Sequence, residues 1–338
     1  MNTHDKTGVL LLNLGGPERL EDVRPFLFNL FSDRQIIRLG PAFLQTTIAH
    51  IIAYRRAPKS MANYRRIGGG SPIRAKTEEQ AAALELALRA DGDFLVRPCM
   101  RYWRPFAEEA LQEMAAAQVT EIIALPLYPH YSLATTGSSL ADLHRTCDRL
   151  GMPTPVREIH SWPEEPLYID CLAARIKEGL DQFDGQPVQL VYSAHSLPVQ
   201  FIREGDPYVR HLEQTIRALE ALTGVRGQLC YQSRSGPVEW LGPALPEVIE
   251  KLAGQGCVNM LVVPISFVSD HVETLYEIDI QYREMAEGLG MRFAATQALN
   301  ADPKFIEALR SLVLPIAASK NPRRRRASRR GNCASARS

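Results

Sequence analysis

The 338-residue sequence has six cysteines, at positions 99, 147, 171, 230, 257 and 333, but no C-x-x-C pair. That spacing excludes the common structural zinc and dithiol motifs. Thiols set within apolar runs read instead as reduced, buried side chains of a cytoplasmic protein. No apolar run reaches the roughly 18 residues that a membrane-spanning helix needs. The opening stretch "MNTHDKTGVLLLNLGGP" has neither a basic leader nor a small-residue cleavage site, so it is expected to form a first strand rather than a signal peptide. Catalytic signatures are missing too. "NLGGPE" follows that strand without the G-x-G-x-x-G of nicotinamide enzymes, and "IGGGSPI" at 67–73 is not a phosphate loop. There is no G-x-S-x-G elbow and no H-E-x-x-H, which argues against an α/β-hydrolase and a zinc peptidase.

What is present is ordinary in bulk and unusual in distribution. Hydrophobic residues make up 45% and charged residues 23%, as in soluble globular enzymes. The length fits two domains of roughly 100–200 residues each. The net charge of +1 hides an asymmetry: the last twenty residues, "SKNPRRRRASRRGNCASARS", carry eight basic side chains and no acid. That tail, 319–338, reads as a solvated, disordered extension or as a contact for anionic lipid or nucleic acid.

Strand-like and helix-like segments alternate along the body. Strands are expected at 8–14, 94–103, 121–127, 188–193, 227–232, 257–265 and 291–296. Helices are expected at 76–90, 105–118, 137–150, 165–183, 207–223, 243–254, 270–289 and 302–318. Such alternation implies crossover units and parallel sheets flanked by helices. A weak internal repeat sharpens this. "ALQEMAAAQVTEIIALPLYPHYS" (110–132) resembles "VIEKLAGQGCVNMLVVPISFVSD" (248–270), with Pro126 and Pro264 in equivalent places. The fold class is therefore α/β, with two similar Rossmann-like, doubly wound domains. The first spans 1–150 and is completed by the C-terminal helix 302–318; the second spans 151–300, divided from the first near Gly151–Pro155. Ligands of such folds sit outside the carboxyl ends of the strands. Segment 23–67 interrupts the pattern with large apolar residues, eight Arg or Lys and one acid, Asp33. It reads as a helical excursion packed on the core, or as an apolar lip with a cationic border for a flat, greasy, anionic ligand, one that can also rest on a membrane surface.

Three expected strand ends carry polar residues: "YPHYSLATTGSS", "YSAHSLP" and "SFVSDHVETLYE". The "TTGSS" of the first offers helix-terminal amides and hydroxyls to an anion. His195 stands where an apolar run stops. A lone histidine is often a satisfied core residue, but Ser193, Ser196 and Pro198 around it favour a functional strand end. Asp270 with Glu273 fits a capping box. Glu273 and Glu277, four apart, share one helix face, where like charges repel; a stacked acidic row makes sense as a route for a divalent cation, with Gln281 and Glu284 further along. One imidazole and one carboxylate from neighbouring strand ends form a donor set that ferrous iron accepts.

The motifs "LNLGGP", "YRRIGGGSPI", "SAHSLP", "WLGP" and "PISFVSDHVETLYEIDI", in this order, resemble the ferrochelatases, over roughly residues 7–316. The resemblance implies two Rossmann-like domains without a nucleotide cofactor, and insertion of ferrous iron into protoporphyrin IX. His195 and Glu273 match the family's active-site histidine and carboxylate, implied to bind iron or to remove pyrrole protons. Asp270 and His271 match supporting residues. Arg56, Tyr64 and Ser71 match porphyrin-holding positions. Leu14, Trp240 and Phe267 look like pocket walls, with Arg101 and Tyr128 on the opposite face. Some family members hold an iron–sulfur cluster; here Leu133 and a lone tail Cys333 cannot supply four thiolates, so no cluster is expected. No further cofactor and no nucleic-acid partner are expected. The expected location is cytoplasmic, peripheral to a membrane through the lip and the tail. Insertion into coproporphyrin, or a non-catalytic porphyrin carrier, are the alternatives. The first is disfavoured by the greasy lip with Phe26, Phe28, Phe31 and Phe43; the second has no use for Glu273 and Glu277 beside His195.

Overall fold

The computed structural model describes residues 6–37, 39–234, 236 and 238–319. Two four-stranded parallel sheets organise it. In the first, β1 (Thr7–Asn13) lies between β2 (Phe94–Met100) and β3 (Glu121–Pro126), with β4 (Val156–Glu158) outside β3. In the second, β5 (Gln189–His195) lies between β6 (Gly227–Gln232) and β7 (Asn259–Pro264), with β8 (Arg292–Ala295) outside β7. Both sheets thus have the same strand order. The sequence repeat falls on β3 and β7, each the third strand of its sheet, and Pro126 and Pro264 end those strands. There the missing N–H of proline breaks no central pairing.

The central strands are apolar because both faces are covered. Val9, Leu10, Leu11 and Leu12 are all fully buried, each worth about 1.5–3 kcal/mol relative to exposure. Their odd and even members enter different cores. Val9 and Leu11 join a core that continues into Leu190 and Tyr192 of β5, so one apolar body links the two sheets. Leu10 and Leu12 pack under α4 (Ala107–Ala116) and α5 (Ser138–Leu150).

The helices between and after the strands are α3 (Ile73–Leu88), α6 (Pro166–Asp181), α7 (Val199–Arg203), α8 (Tyr208–Thr223), α9 (Leu245–Gly254), α10 (Arg283–Gly288) and α11 (Pro303–Ala318). The expected boundary at Gly151–Pro155 falls one strand short, because β4 pairs with β3 and belongs to the first sheet. The C-terminal helix, expected to complete the first domain, packs on α3 and β3 but equally on α6, and so closes the seam between the two halves. The long helix expected over 270–289 is π-helical over Glu273–Tyr282 before α10 continues it; Arg283 N–H bonds Ile278 O, five residues back. The strand expected over 94–103 stops at Met100.

The excursion at 23–67 forms α1 (Val23–Ser32) and α2 (Gln45–Arg66). They enclose a small core of their own that includes Phe26, Phe31, Ala53, Tyr64 and Tyr102, and Val272 packs against it. The apolar residues of the excursion therefore divide: one set packs inward, while Phe43, Ile51 and Tyr54 remain exposed. The arginine-rich tail, including Cys333, lies outside the described residues.

Candidate active site

The second sheet brings its strand ends to one place. β5 and β6 run in register, so His195 lies opposite Gln232 at their carboxyl ends. The backbone of His195 is held on both sides: its N–H donates to Ser266 Oγ at 2.7 Å, and Tyr208 O–H donates to its carbonyl at 3.0 Å. After β7 the chain passes through residues 265–272 and begins the π-helix at Glu273. Polar side chains from the other half fix this loop. Buried Gln80 of α3 accepts from Ser269 Oγ at 3.2 Å and donates to Asn300 O at 2.8 Å. Asp270 does not cap the helix as expected; Asn300 Nδ2 donates to its carboxylate at 2.8 Å. The place lies at the carboxyl ends of β5 and β7, where the connections leave in opposite directions, as expected of doubly wound sheets.

His195 Nδ1 is 2.9 Å from Glu273 Oε2. The same oxygen accepts from Gln232 Nε2 at 3.2 Å, and Ser193 Oγ donates to Gln232 Oε1 at 2.6 Å. His271 Nδ1 lies 3.1 Å from Ser269 O, so that nitrogen carries the proton, since a carbonyl can only accept. Its Nε2 is buried without a hydrogen-bond partner, 3.9 Å from the Glu273 oxygen. Burial alone would lower the basicity of His195, but the charge and hydrogen bond of Glu273, with Glu277 behind, raise it above the ordinary histidine value. Burial disfavours the Glu273 anion, yet His195 and His271 hold its carboxyl well below the usual range. Glu277 behaves in the opposite way: burial and the Glu273 charge push it up to about 7, against a 2.5 Å hydrogen bond from Ser233 Oγ. Two carboxylates one turn apart thus differ because one has two imidazoles and the other has a carboxylate neighbour.

The other expected site residues divide into two groups. Phe267 meets His195 edge-on with ring centres 6.3 Å apart, packs on His271 at 4.2 Å and meets Tyr128 of the first half at 6.4 Å. Tyr64, buried in α2, lies within electrostatic reach of Glu273, and Arg56 of the same helix lies within reach of Glu277. Leu14, just past β1, packs against the core of the excursion. The second group is committed elsewhere. Arg101 is partly buried and held in ion pairs with Asp33 at 2.6 Å and Asp142 at 3.5 Å, and it donates to Ser138 Oγ at 2.8 Å; it lines a separate cavity of about 640 Å³ with Tyr102, Arg145 and Arg149. Ser71 packs against Gly16 at the start of α3. Trp240 bridges back to Pro198, beside the His195 turn. Sequence reasoning missed Gln232 and Ser233, whose spacing from His195 and Glu273 carries no motif, and did not single out Ser266 within "SFVSDHVETLYE".

Among the described residues no group of three or more His, Cys, Asp or Glu side chains is disposed to hold a metal ion. The pair His195–Glu273 offers two donors only, which suits a transient partner better than a resident one.

Two parallel sheets of one strand order, with an imidazole–carboxylate pair at the strand ends of the second, define a two-sheet, Rossmann-like α/β protein. "SirB from Bacillus subtilis with Fe3+" matches with a TM-score of 0.53 at 14% identity, over 93% of this chain and 97% of that one. The sirohydrochlorin chelatase SirB from Bacillus subtilis subspecies spizizenii in complex with cobalt gives 0.50 at 13% identity, over 90% and 92%. At these identities the likeness establishes the fold. The family model described as Ferrochelatase matches residues 6–315. The ferrochelatase of Desulfotalea psychrophila is 57% identical over 91% of this chain and 96% of its own length. Those of Geotalea uraniireducens and Gloeobacter violaceus are 53% and 45% identical, each over 91% of this chain and 97% of their own. The chain belongs to the ferrochelatase family.

Proposed function

We propose that the chain is a lyase that inserts ferrous iron into protoporphyrin IX at the His195–Glu273 pair, releasing two protons and forming heme. Family membership supports the reaction: iron insertion into a porphyrin. The observation that carries the site is the 2.9 Å contact between His195 Nδ1 and a Glu273 carboxyl held ionised by its surroundings. In neutral His195 the Nδ1–H donates a hydrogen bond to Glu273 and stays on the ring, which leaves the Nε2 lone pair to take a pyrrole proton. The imidazolium formed on taking that proton is stabilised by the carboxylate it already faces. The basicity of His195, raised by Glu273, serves this role. Iron is a substrate that meets the deprotonated ring, with Glu273 and Glu277 as the acidic row along its approach.

The macrocycle has greasy faces and two propionates. Leu14 and Phe267 supply apolar and aromatic surface, with buried Tyr64 behind, and Arg56 supplies cationic charge near the row. Protoporphyrin is favoured over a tetra-acid porphyrin by the apolar excursion. The exposed Phe43, Ile51 and Tyr54 of that excursion, beside Arg24 and Arg55, suit peripheral contact with an anionic membrane from the cytoplasmic side. Among the described residues no helix is long and apolar enough to cross a membrane. No iron–sulfur cluster is required by this reading.

The test is an anaerobic fluorimetric assay offering ferrous iron with protoporphyrin IX or coproporphyrin. The parent protein is expected to metallate protoporphyrin faster. His195→Ala is expected to lose insertion while still quenching and binding porphyrin. Near-normal turnover by that variant, or a preference for coproporphyrin, overturns the corresponding part of the proposal. The freshly purified protein is expected to lack visible charge-transfer bands of a cluster. Vesicles containing anionic lipid are expected to retain the parent and to release a Phe43→Ser/Tyr54→Ser variant.

A further inference from the structure

Ser233 has a backbone conformation that few side-chain-bearing residues adopt. Its φ is +65°, in the left-handed region that favours glycine and costs other residues about 1–2 kcal/mol. It sits one residue past β6, whose last residue is Gln232. In a continuing strand, adjacent side chains point to opposite faces. Here they do not separate in that way. Gln232 Nε2 donates to Glu273 Oε2 at 3.2 Å, and Ser233 Oγ donates to Glu277 Oε2 at 2.5 Å. Two consecutive residues therefore hold two carboxylates that stand four residues apart on the π-helix. The left-handed turn at Ser233 is what allows both to face the same helix.

We propose that Gln232 and Ser233 form a two-pronged clamp that aligns Glu273 and Glu277 into one row for the incoming iron; the inference rests on the reading of that row given above. Each prong has its own support. The amide of Gln232 could present either oxygen or nitrogen to Glu273. Ser193 decides, because its hydroxyl donates to Oε1 at 2.6 Å and leaves Nε2 for the carboxylate. Ser193, Gln232 and Glu273 are all buried, so an inverted amide would set two acceptors together without water to relieve them. On the other prong, the hydroxyl of Ser233 meets one of the two Glu277 oxygens and leaves the second for a cation. Both are positioning residues that act through the carboxylates they bond. Loss of such supporting hydrogen bonds around a metal-handling group typically costs roughly 10–100-fold in metal affinity or activity.

Glycine at 233 separates the clamp from the backbone that carries it. Ser233→Gly accepts the left-handed φ without strain, so the variant is expected to fold at least as well as the parent, and it deletes only the hydroxyl. Parent, Ser233→Gly, Ser233→Asn and Gln232→Glu are assayed for initial insertion rates against ferrous iron and, separately, against protoporphyrin. For Ser233→Gly the KM for iron is expected to rise about tenfold, with the porphyrin KM unchanged. Asparagine tolerates the left-handed region and carries a donor, so Ser233→Asn is expected to recover most of the loss. Gln232→Glu places an acceptor against Glu273 and is expected to lower kcat more than tenfold. An unchanged iron KM in a folded Ser233→Gly overturns the clamp, as does a rise in both KM values together. No insertion by the parent protein overturns the underlying reading instead.

Discussion

Replacing Glu277 by glutamine should make the protein more stable and less able to use iron. The carboxyl is pushed up to about 7 by burial and by the Glu273 charge, with Ser233, His195 and His271 acting the other way. Arg56 and Tyr282 also lie within its electrostatic reach. In an unfolded chain a glutamate titrates near 4.3. Below about pH 4 the group is protonated in both states and contributes nothing. Between about 4.3 and 7 the unfolded chain releases the proton and the folded protein keeps it, so stability falls as pH rises. Above 7 the cost is constant. At 1.36 kcal/mol per pH unit the difference is at most about 3.7 kcal/mol, and about 2 kcal/mol when the water reaching the partly exposed side chain is counted. Glu277→Gln has no charge to bury and escapes this cost. Urea unfolding of parent and variant at pH 5 and pH 8 checks it. The variant should gain little at pH 5 and about 2 kcal/mol at pH 8, while its KM for ferrous iron rises. For the parent, a cation must displace the Glu277 proton below about pH 7, so the iron KM should fall as pH rises from 6 to 8. A variant no more stable at pH 8 than at pH 5, relative to the parent, refutes the reasoning, because Glu277 would then ionise like an exposed glutamate.

Arg101 and Asp33 are partly buried, with side-chain exposures of 13% and 7%, so Arg101→Leu should cost about 3 kcal/mol by leaving Asp33 uncompensated; adding Asp33→Leu should restore much of the thermal midpoint. A pure loss of porphyrin affinity with unchanged stability would show instead that Arg101 faces the substrate. A Cβ at Gly70 would stand 2.0 Å from the carbonyl oxygen of Glu18. Gly70→Ala should therefore force the α2–α3 connection away from the β1 loop, lower the melting temperature by several degrees and raise the porphyrin KM; an unchanged melt would show that the connection yields freely.

The sheet architecture was largely legible because buried parallel strands are nearly continuous apolar runs: the strand expected at 8–14 is offset by one residue from β1 (Thr7–Asn13), and the strand expected at 257–265 contains β7 (Asn259–Pro264). The short β4 was not, since Val156–Glu158 is three residues long and only partly buried, too brief to show a pattern. That omission alone moved the expected domain boundary. The excursion was readable as amphipathic, but not as two helices. Its apolar residues serve two purposes, an inner core around Phe26 and Tyr64 and an exposed edge at Phe43 and Tyr54, and a single periodicity cannot show both.

The candidate site was legible for a different reason. Glu273 and Glu277 were paired on the expectation of an α-helix, and the helix is π-helical there. The pairing survives because a spacing of four residues brings side chains to nearly the same face whether the turn closes through i→i+4 or i→i+5 bonds. The mistaken helix type therefore did no harm to the acidic row. It does bear on the partners of the row. With a strand period of two, Gln232 and Ser233 should face opposite sides, and sequence periodicity places at most one of them near the carboxylates. Only the left-handed backbone at Ser233 brings both to bear. Serine gives little sign of that conformation, since it is not among the residues enriched there. The His195–Glu273 pair thus sits at a strand end and a helix start that a pattern can find, while two of the groups placed against the carboxylates depend on one irregular residue that a pattern cannot. Ser233→Gly tests that division most directly, because it leaves the irregularity in place and removes only the chemistry it delivers.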